Sequence, residues 1–236
     1  MSRTLVEIED LNLHIDRVAL TTGLSLTVAE GDRLGITGPS GCGKSTLLKA
    51  ITSRIVPRGS TFAKFEVPKG LVSYVPQANG LLPWFSLKRN LAIYSRATLT
   101  DSDATIKAFQ LTKNLGSFPH QLSGGEYQRA ILAAAIINRP PLFLADEPLT
   151  ELDISSKWDL LRYWSNEILA NDSSLLVVSH DLETLLYMCN TVIVLSDKPS
   201  MIKKAISIES EHPRDLNFLL SNAFLKAKSE LLECID

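Results

Sequence analysis

The run Leu34-Gly35-Ile36-Thr37-Gly38-Pro39-Ser40-Gly41-Cys42-Gly43-Lys44-Ser45-Thr46 decides how this chain folds. Residues 34–37 are almost wholly apolar, as a parallel strand covered on both faces must be. Residues 38–45 then match the spacing Gly, four residues, Gly-Lys-Ser/Thr, and an apolar helical stretch over 44–52 follows. The chemistry behind that spacing is specific. Gly38, Gly41 and Gly43 let the backbone curl until successive N–H groups point inward at phosphate oxygens. The helix that follows adds about half a unit of positive charge at its N-terminus. Lys44 brings a mobile full charge toward the β- and γ-phosphates of a nucleotide, and the Ser45 hydroxyl is a ligand for Mg²⁺. Pro39, Ser40, Cys42 and Thr46 complete the candidate loop, with Cys42 at a position the spacing leaves free.

Outward from the loop, alternation and β-branched apolar runs predict strands over 5–15, 24–28, 71–75, 142–145, 175–179, 192–195 and 205–208. Helical stretches are expected over 126–137, 154–169 and 182–188. Strands that alternate with helices predict an α/β fold with a mainly parallel sheet. Residues 5–15 and 24–28 alternate like half-buried antiparallel strands and predict a separate N-terminal β lobe. Residues 83–121 carry no clear strand and read as a helical insertion, and 215–235 reads as a final amphipathic helix.

Bulk properties remove several classes of function. A net charge of −2 over 236 residues gives no basic footprint, so no nucleic acid is expected as partner. Cys42, Cys189 and Cys234 are far apart and odd in number, which fits neither a disulfide framework nor a metal spacing, and a reduced, cytosolic compartment is expected. The first residues lack the apolar core of a signal peptide, and no apolar run approaches the ~18–20 residues that span a bilayer. Any work at a membrane is therefore expected to pass through a partner.

The strand over 142–145 ends in Asp146-Glu147-Pro148. Parallel α/β sheets place their chemistry at the carboxyl ends of strands, so both acids should face the nucleotide. Asp146 is suited to hold Mg²⁺ through its water shell, and Glu147 to polarise an attacking water as general base. Acids at a strand end are common without any such role; the phosphate-binding loop nearby is what favours the functional reading.

Leu122-Ser123-Gly124-Gly125-Glu126-Tyr127-Gln128-Arg129 settles which kind of nucleotide enzyme this sequence resembles. Together with the loop and Asp146-Glu147, it is similar to the signature sequence of ATP-binding-cassette (ABC) ATPases. The resemblance runs over nearly the whole chain, with its motifs in the family's order. It implies ATP and Mg²⁺ as ligands of a P-loop core flanked by an antiparallel β lobe and a small helical lobe. Lys44, Gln77, Glu147 and His180 would then be the catalytic groups, and Ser45, Gln77 and Asp146 the metal-binding ones. Gln77 occupies the place of the Q-loop glutamine, Asp153 that of the D-loop aspartate, and His180 that of the switch histidine. Gln77 also reads as a surface residue, His180 as a satisfied strand-end histidine and Asp153 as a helix N-cap, the last compatible with either role. Ser123, Gly124, Gly125 and Glu126 open a helix, and hence a second anion site. In the family such a site closes on ATP held by another subunit, which implies a second copy of this chain or a related cassette. The base-stacking aromatic of the family is missing; its place falls near His14 or Ile15, and His14 is either a stacking residue or a plain strand residue.

Departures from the family pattern are Glu151-Leu152-Asp153 where Ala-Leu-Asp is usual, a short stretch over 51–70 and a trimmed helical insertion. The resemblance implies one ABC domain over 1–236, with core and β lobe in 1–80 and 140–236 and a helical lobe over about 81–139. Softer features are residues 81–87, Phe118-Pro119-His120-Gln121, residues 194–202 and Pro213-Arg214-Asp215. They resemble ATPase subunits of importers for nitrate, sulfonates, taurine and thiamine precursors. Trp84 and Phe85 read equally as core anchors of the helical lobe or as contacts to a partner. This group implies docking on an integral membrane permease at the cytoplasmic face of the membrane, indirectly served by a solute-binding protein. The competing reading is a soluble ABC ATPase in translation, repair or cluster assembly.

Overall fold

The computed structural model describes residues 3–67, 69–70, 72–77, 79–95, 103–150 and 152–235. Its centre is a six-stranded sheet built from β5 (Arg33–Thr37), β7 (Val72–Val75), β8 (Leu142–Asp146), β9 (Ser174–Val178), β10 (Thr191–Leu195) and β11 (Ile202–Ser207). The spatial order is β11-β10-β5-β9-β8-β7. All neighbours pair in parallel except β11, which runs antiparallel along one edge.

The alternation of each strand decides which layer it serves. Leu142, Leu144, Leu176, Val178, Ile193 and Leu195 point to one face, where Leu47, Leu48 and Ile51 of α1 (Lys44–Ser53) cover them. Phe143, Ala145, Leu175, Val177, Val192 and Val194 point to the other. There they meet α4 (Gly124–Ile137), α5 (Ile154–Ala170), α6 (Leu182–Met188) and α7 (Asn222–Ile235). Two-sided cover is why these strands read as continuous apolar runs. A second sheet, β4-β1-β6, is antiparallel and consists of β1 (Thr4–Leu11), β4 (Leu24–Ala29) and β6 (Lys64–Glu66). Its inward residues Val6, Ile8, Leu26 and Val28 join the α1 side of the core.

The α/β fold with a mainly parallel sheet, an antiparallel sheet and helices is thus the one expected; several details differ. The strand expected over 5–15 stops at Leu11, where Asp10 takes φ 50 and the register with β4 slips. A separate two-residue hairpin follows, β2 (His14–Ile15) against β3 (Val18–Ala19). Its turn residues Asp16 and Arg17 both have positive φ, the conformation usually given to Asn-Gly, so the sequence carried no turn signal. β6 was not anticipated. The final helix is broken: Leu216–Leu220 is a 3₁₀ turn, Ser221 is extended, and α7 starts afresh with the Ser221 hydroxyl accepting from Phe224 N–H. The helical insertion contains α2 (Leu87–Tyr94) and α3 (Asp103–Ala108), which pack on α4 through Leu87, Leu91, Ile106 and Phe109. Trp84 is 66% exposed, so its reading as a core anchor fails. Leu71 and Glu151 lie outside the described residues.

Parallel pairing carries the carboxyl ends of β5, β7, β8, β9 and β10 to one edge. Every strand-end motif singled out in the sequence is delivered there.

Candidate nucleotide site at the carboxyl edge

The phosphate-binding loop leaves β5 at Gly38, whose φ of 146 is open only to glycine, and a Cβ there would lie 2.8 Å from the Leu195 carbonyl oxygen. The loop enters α1 through Gly43 at φ 110. Lys44, the first helical residue, folds back so that its Nζ donates to the carbonyls of Gly38 (2.6 Å) and Pro39 (2.8 Å). Cys42 is not at a free position: its side chain is buried within the α1 side of the core, and its Sγ lies 3.7 Å from Lys44 Nζ. The loop reading missed this because only the tertiary packing beneath the loop decides which side chains turn inward.

Ser45 Oγ donates to Asp146 Oδ1 at 3.0 Å, and the Tyr74 hydroxyl reaches Asp146 Oδ2 at 3.4 Å. Burial pushes the Asp146 carboxyl above the usual carboxylate range, against the pull of the Ser45 bond. Burial beside Asp146 likewise raises the Tyr74 phenol. Oxygen donors of this kind, a hydroxyl and a carboxylate at hydrogen-bond distance, fit a hard cation such as Mg²⁺.

Glu147 takes φ 48, a backbone state that costs of order 1–3 kcal/mol outside glycine. The state is held by Glu147 N–H donating to the Val178 carbonyl on the neighbouring strand (2.9 Å). It presents the carboxylate to the end of β9, where Oε2 accepts from Ser179 Oγ (3.1 Å). Oε1 accepts from His180 N–H (3.0 Å) and lies 2.9 Å from His180 Nδ1. The Glu147 side chain is 12% exposed and that of His180 is 74% exposed, so the pair stands at the floor and rim of an open site. Gln77, also exposed, lines a cleft of about 540 Å³ with Thr150, Ser179 and His180.

Ser123 caps α4: its Oγ accepts from Glu126 N–H, and the Glu126 carboxylate accepts from Ser123 N–H and Oγ. These bonds hold Glu126 below the usual carboxylate range. Ser123 and Gly124 are exposed, and among the described residues no hydrogen bond joins them or Gly125 to the phosphate loop. Asp153 caps α5 by accepting from Ser156 N–H (3.0 Å). His14 is half-buried in β2, with Nδ1 3.4 Å from the Asn12 carbonyl and its N–H donating to Ser60 Oγ, and among the described residues no hydrogen bond joins it to Gly38–Thr46. The structure therefore gathers Lys44, Ser45, Asp146, Glu147, Gln77 and His180 at one edge and leaves the Ser123–Glu126 helix end apart from them.

A family model described as ABC transporter matches residues 21–150. The chain belongs to the ABC transporter family. It is an ATP-binding ABC transporter ATPase, and it carries the fold of that family's cassettes. An aliphatic sulfonates import ATP-binding protein of Bacillus cereus is 29% identical over 92% of this chain and 88% of its own length. A zinc import ATP-binding protein of Marinobacter nauticus is 34% identical over 83% and 76%. Among solved structures, a dimeric ABC transporter cassette superposes with TM-score 0.73 at 20% identity over 87% of this chain and all of the other. An ATP-binding subunit of an ABC transporter gives TM-score 0.74 at 22% identity over 97% and 99%.

In this ABC ATPase several site residues escaped sequence reasoning. Ser179 and Tyr74 touch the two acids but belong to no spacing rule. Asp181 accepts from the N–H groups of Glu183 and Thr184, from the Thr184 hydroxyl, and from Lys157 of α5 in an ion pair. Burial pulls the Asp181 carboxyl up, but the Lys157 and Thr184 bonds outweigh it and leave it below the ordinary value. Asp181 was legible as a helix N-cap three residues before Thr184; its Lys157 partner was not. Buried Gln128 donates to the Pro148 carbonyl, tying the Ser123–Glu126 helix to the turn that carries Glu147.

Proposed function

We propose that this ABC ATPase is the energising subunit of an importer that works as a head-to-tail pair, with a second copy of itself or a related cassette. The observation that carries the proposal is the Glu147–His180 pair, 2.9 Å apart beside the phosphate loop, in a chain whose Ser123–Gly125 helix end faces outward. In this reading Lys44 leaves the Gly38 and Pro39 carbonyls for the β- and γ-phosphates as ATP enters. Glu147, fixed by Ser179 and His180, accepts the proton of the attacking water. His180 contacts the γ-phosphate from the rim, and Gln77 orients the water from the facing loop. Ser123, Gly124 and Gly125 of the partner supply N–H donors to the same phosphate, with Glu126 fixing their cap. Asp153 sits between the two sites, and His14 lies against the base. Ser45, Asp146 and Gln77 would hold Mg²⁺, which neutralises charge on the β- and γ-oxygens when bound.

The pair is proposed to dock on the cytoplasmic face of an integral membrane permease fed by a solute-binding protein. Exposed Trp84, Tyr94 and Phe118 suit such a contact. Among the described residues no helix is long and apolar enough to cross a membrane, consistent with work through a permease. Relatives named for sulfonate import, with the sequence features of residues 81–87 and 194–202, favour a solute of the nitrate, sulfonate, taurine or thiamine-precursor type.

Glu147→Gln tests the centre of this reading. Steady-state turnover should fall by about 10²- to 10⁴-fold, while light scattering still detects an ATP-dependent dimer. Retained turnover removes Glu147 as base. Co-purification with ribosomes or DNA, and never with a permease, would remove the importer.

A further inference from the structure

β10 lies beside β5, and the loop that leaves it at Leu195 folds back over the phosphate-binding loop. Fully buried Ser200 anchors that fold: its Oγ donates to the Cys42 carbonyl (2.7 Å), its N–H donates to the Leu20 carbonyl (2.8 Å), and its carbonyl accepts from Thr22 N–H (2.9 Å). Two residues upstream, Lys198 is thereby set over Gly41. A Cβ on Gly41 would stand 3.3 Å from Lys198 Nζ and 3.5 Å from its Cε, so the ammonium occupies the space the glycine leaves.

Lys198 is exposed, and among the described residues it makes no hydrogen bond and no ion pair. Its stem is held close while its charge is left unanswered. Lys44, the other cation of the loop, approaches from α1 and is engaged by the Gly38 and Pro39 carbonyls. Lys198 arrives from the loop between β10 and β11 and stands against Gly41. An unpaired ammonium beside backbone N–H groups that converge on one space is unfavourable in the empty loop and favourable once phosphate fills it.

We propose that Lys198 is a second phosphate-binding cation, contacting the phosphate chain of the bound nucleotide together with Lys44. The proposal rests on the reading of Gly38–Thr46 as the ATP loop. It assigns a role to the segment between β10 and β11, which no catalytic motif covers.

The test is ATP affinity of the full-length chain, measured by calorimetry for wild type, Lys198→Ala, Lys198→Glu and Lys198→Arg, with Lys203→Ala as a control for net charge. Removing one charge about 4 Å from another in a water-exposed site should weaken binding about fivefold. Lys198→Ala is expected to show that loss with a shallower salt dependence, because one screened contact is gone. Lys198→Glu should bind more weakly still, and Lys198→Arg within about twofold of wild type, since the guanidinium keeps the charge. Thermal midpoints should not move, because Lys198 holds nothing in the empty protein. Equal affinity of wild type and Lys198→Ala overturns the proposal, and so does an equal loss in Lys203→Ala, which would make the effect one of net charge. Failure of the wild-type chain to bind ATP would overturn the loop reading beneath it, and the proposal with it.

Discussion

The two edges of the six-stranded sheet treat their polar groups in opposite ways. At the carboxyl edge Ser45 is bonded to Asp146, and Glu147 to Ser179 and His180, from the ends of two strands, β8 and β9, and the start of α1, on the wall of an open site. At the amino edge Arg33, Cys189, His212 and Arg214 are packed together without an ion pair to either arginine among the described residues. Arg33 is 3% exposed, and among the described residues its guanidinium makes one hydrogen bond, to Ser165 Oγ at 3.3 Å. Arg214, also 3% exposed, donates to the carbonyls of Leu186 (2.5 Å), Cys189 (2.6 Å) and Ser210 (2.7 Å) and stacks on Phe218. Both ring nitrogens of His212 are buried and unpartnered. Burial pushes the Cys189 thiol to about 12 and pulls Arg214 down to about 10. One edge is organised for a ligand, the other for the chain itself. Substitution at the first should change chemistry, and at the second stability.

That contrast breaks if Arg214→Met is harmless. The substitution strips two buried carbonyls and a half-buried one of their donor, and a loss of about 3 kcal/mol is expected. In a protein of this size that is a fall of about 6–12 °C in Tm, read by calorimetry. Glu147→Gln, which keeps shape and removes only a charge at the floor of an open site, should move Tm by no more than about 2 °C. A smaller effect sharpens the comparison through pH. Burial, with Arg214 and Arg33 nearby, holds the His212 imidazole down to about 3 against an ordinary value of 6.5. Between those values the unfolded chain binds the extra proton and the folded chain does not. Stability from this group is therefore complete above pH 6.5 and is lost as pH falls toward 3. Discounted for partial exposure, the loss is about 0.5–1 kcal/mol per pH unit. Urea titrations of His212→Leu between pH 7 and 5 should lack that slope; an unchanged slope places the acid sensitivity elsewhere.

The same contrast explains what was legible in the sequence. Phosphate and water chemistry admits few residue types beside a phosphate loop, so Lys44, Asp146 and Glu147 stood out by type and spacing, and His180 through the family resemblance. The continuous apolar runs over 142–145 and 175–178 gave the parallel sheet, because a strand covered on both faces carries apolar residues at both parities. The amino edge gave no such signal: Arg33, Cys189, His212 and Arg214 meet only after folding, and nothing local marks a buried arginine. The β2–β3 turn was missed for a related reason, since Asp16 and Arg17 adopt positive φ without glycine or asparagine. The break at Ser221 hid inside a continuous apolar periodicity, and the inward turn of Cys42 depends on packing beneath the loop. Lys198 stayed invisible because its closeness to Gly41 is set by Ser200 and Cys42, far apart in sequence.

The most direct test of the shared ATP site is the dependence of turnover on protein concentration. If Ser123–Gly125 of one chain completes the site of another, ATP hydrolysed per chain should rise with concentration and level off only as the pair saturates. Turnover per chain that stays constant down to concentrations where light scattering sees monomers alone would contradict a site made of two chains.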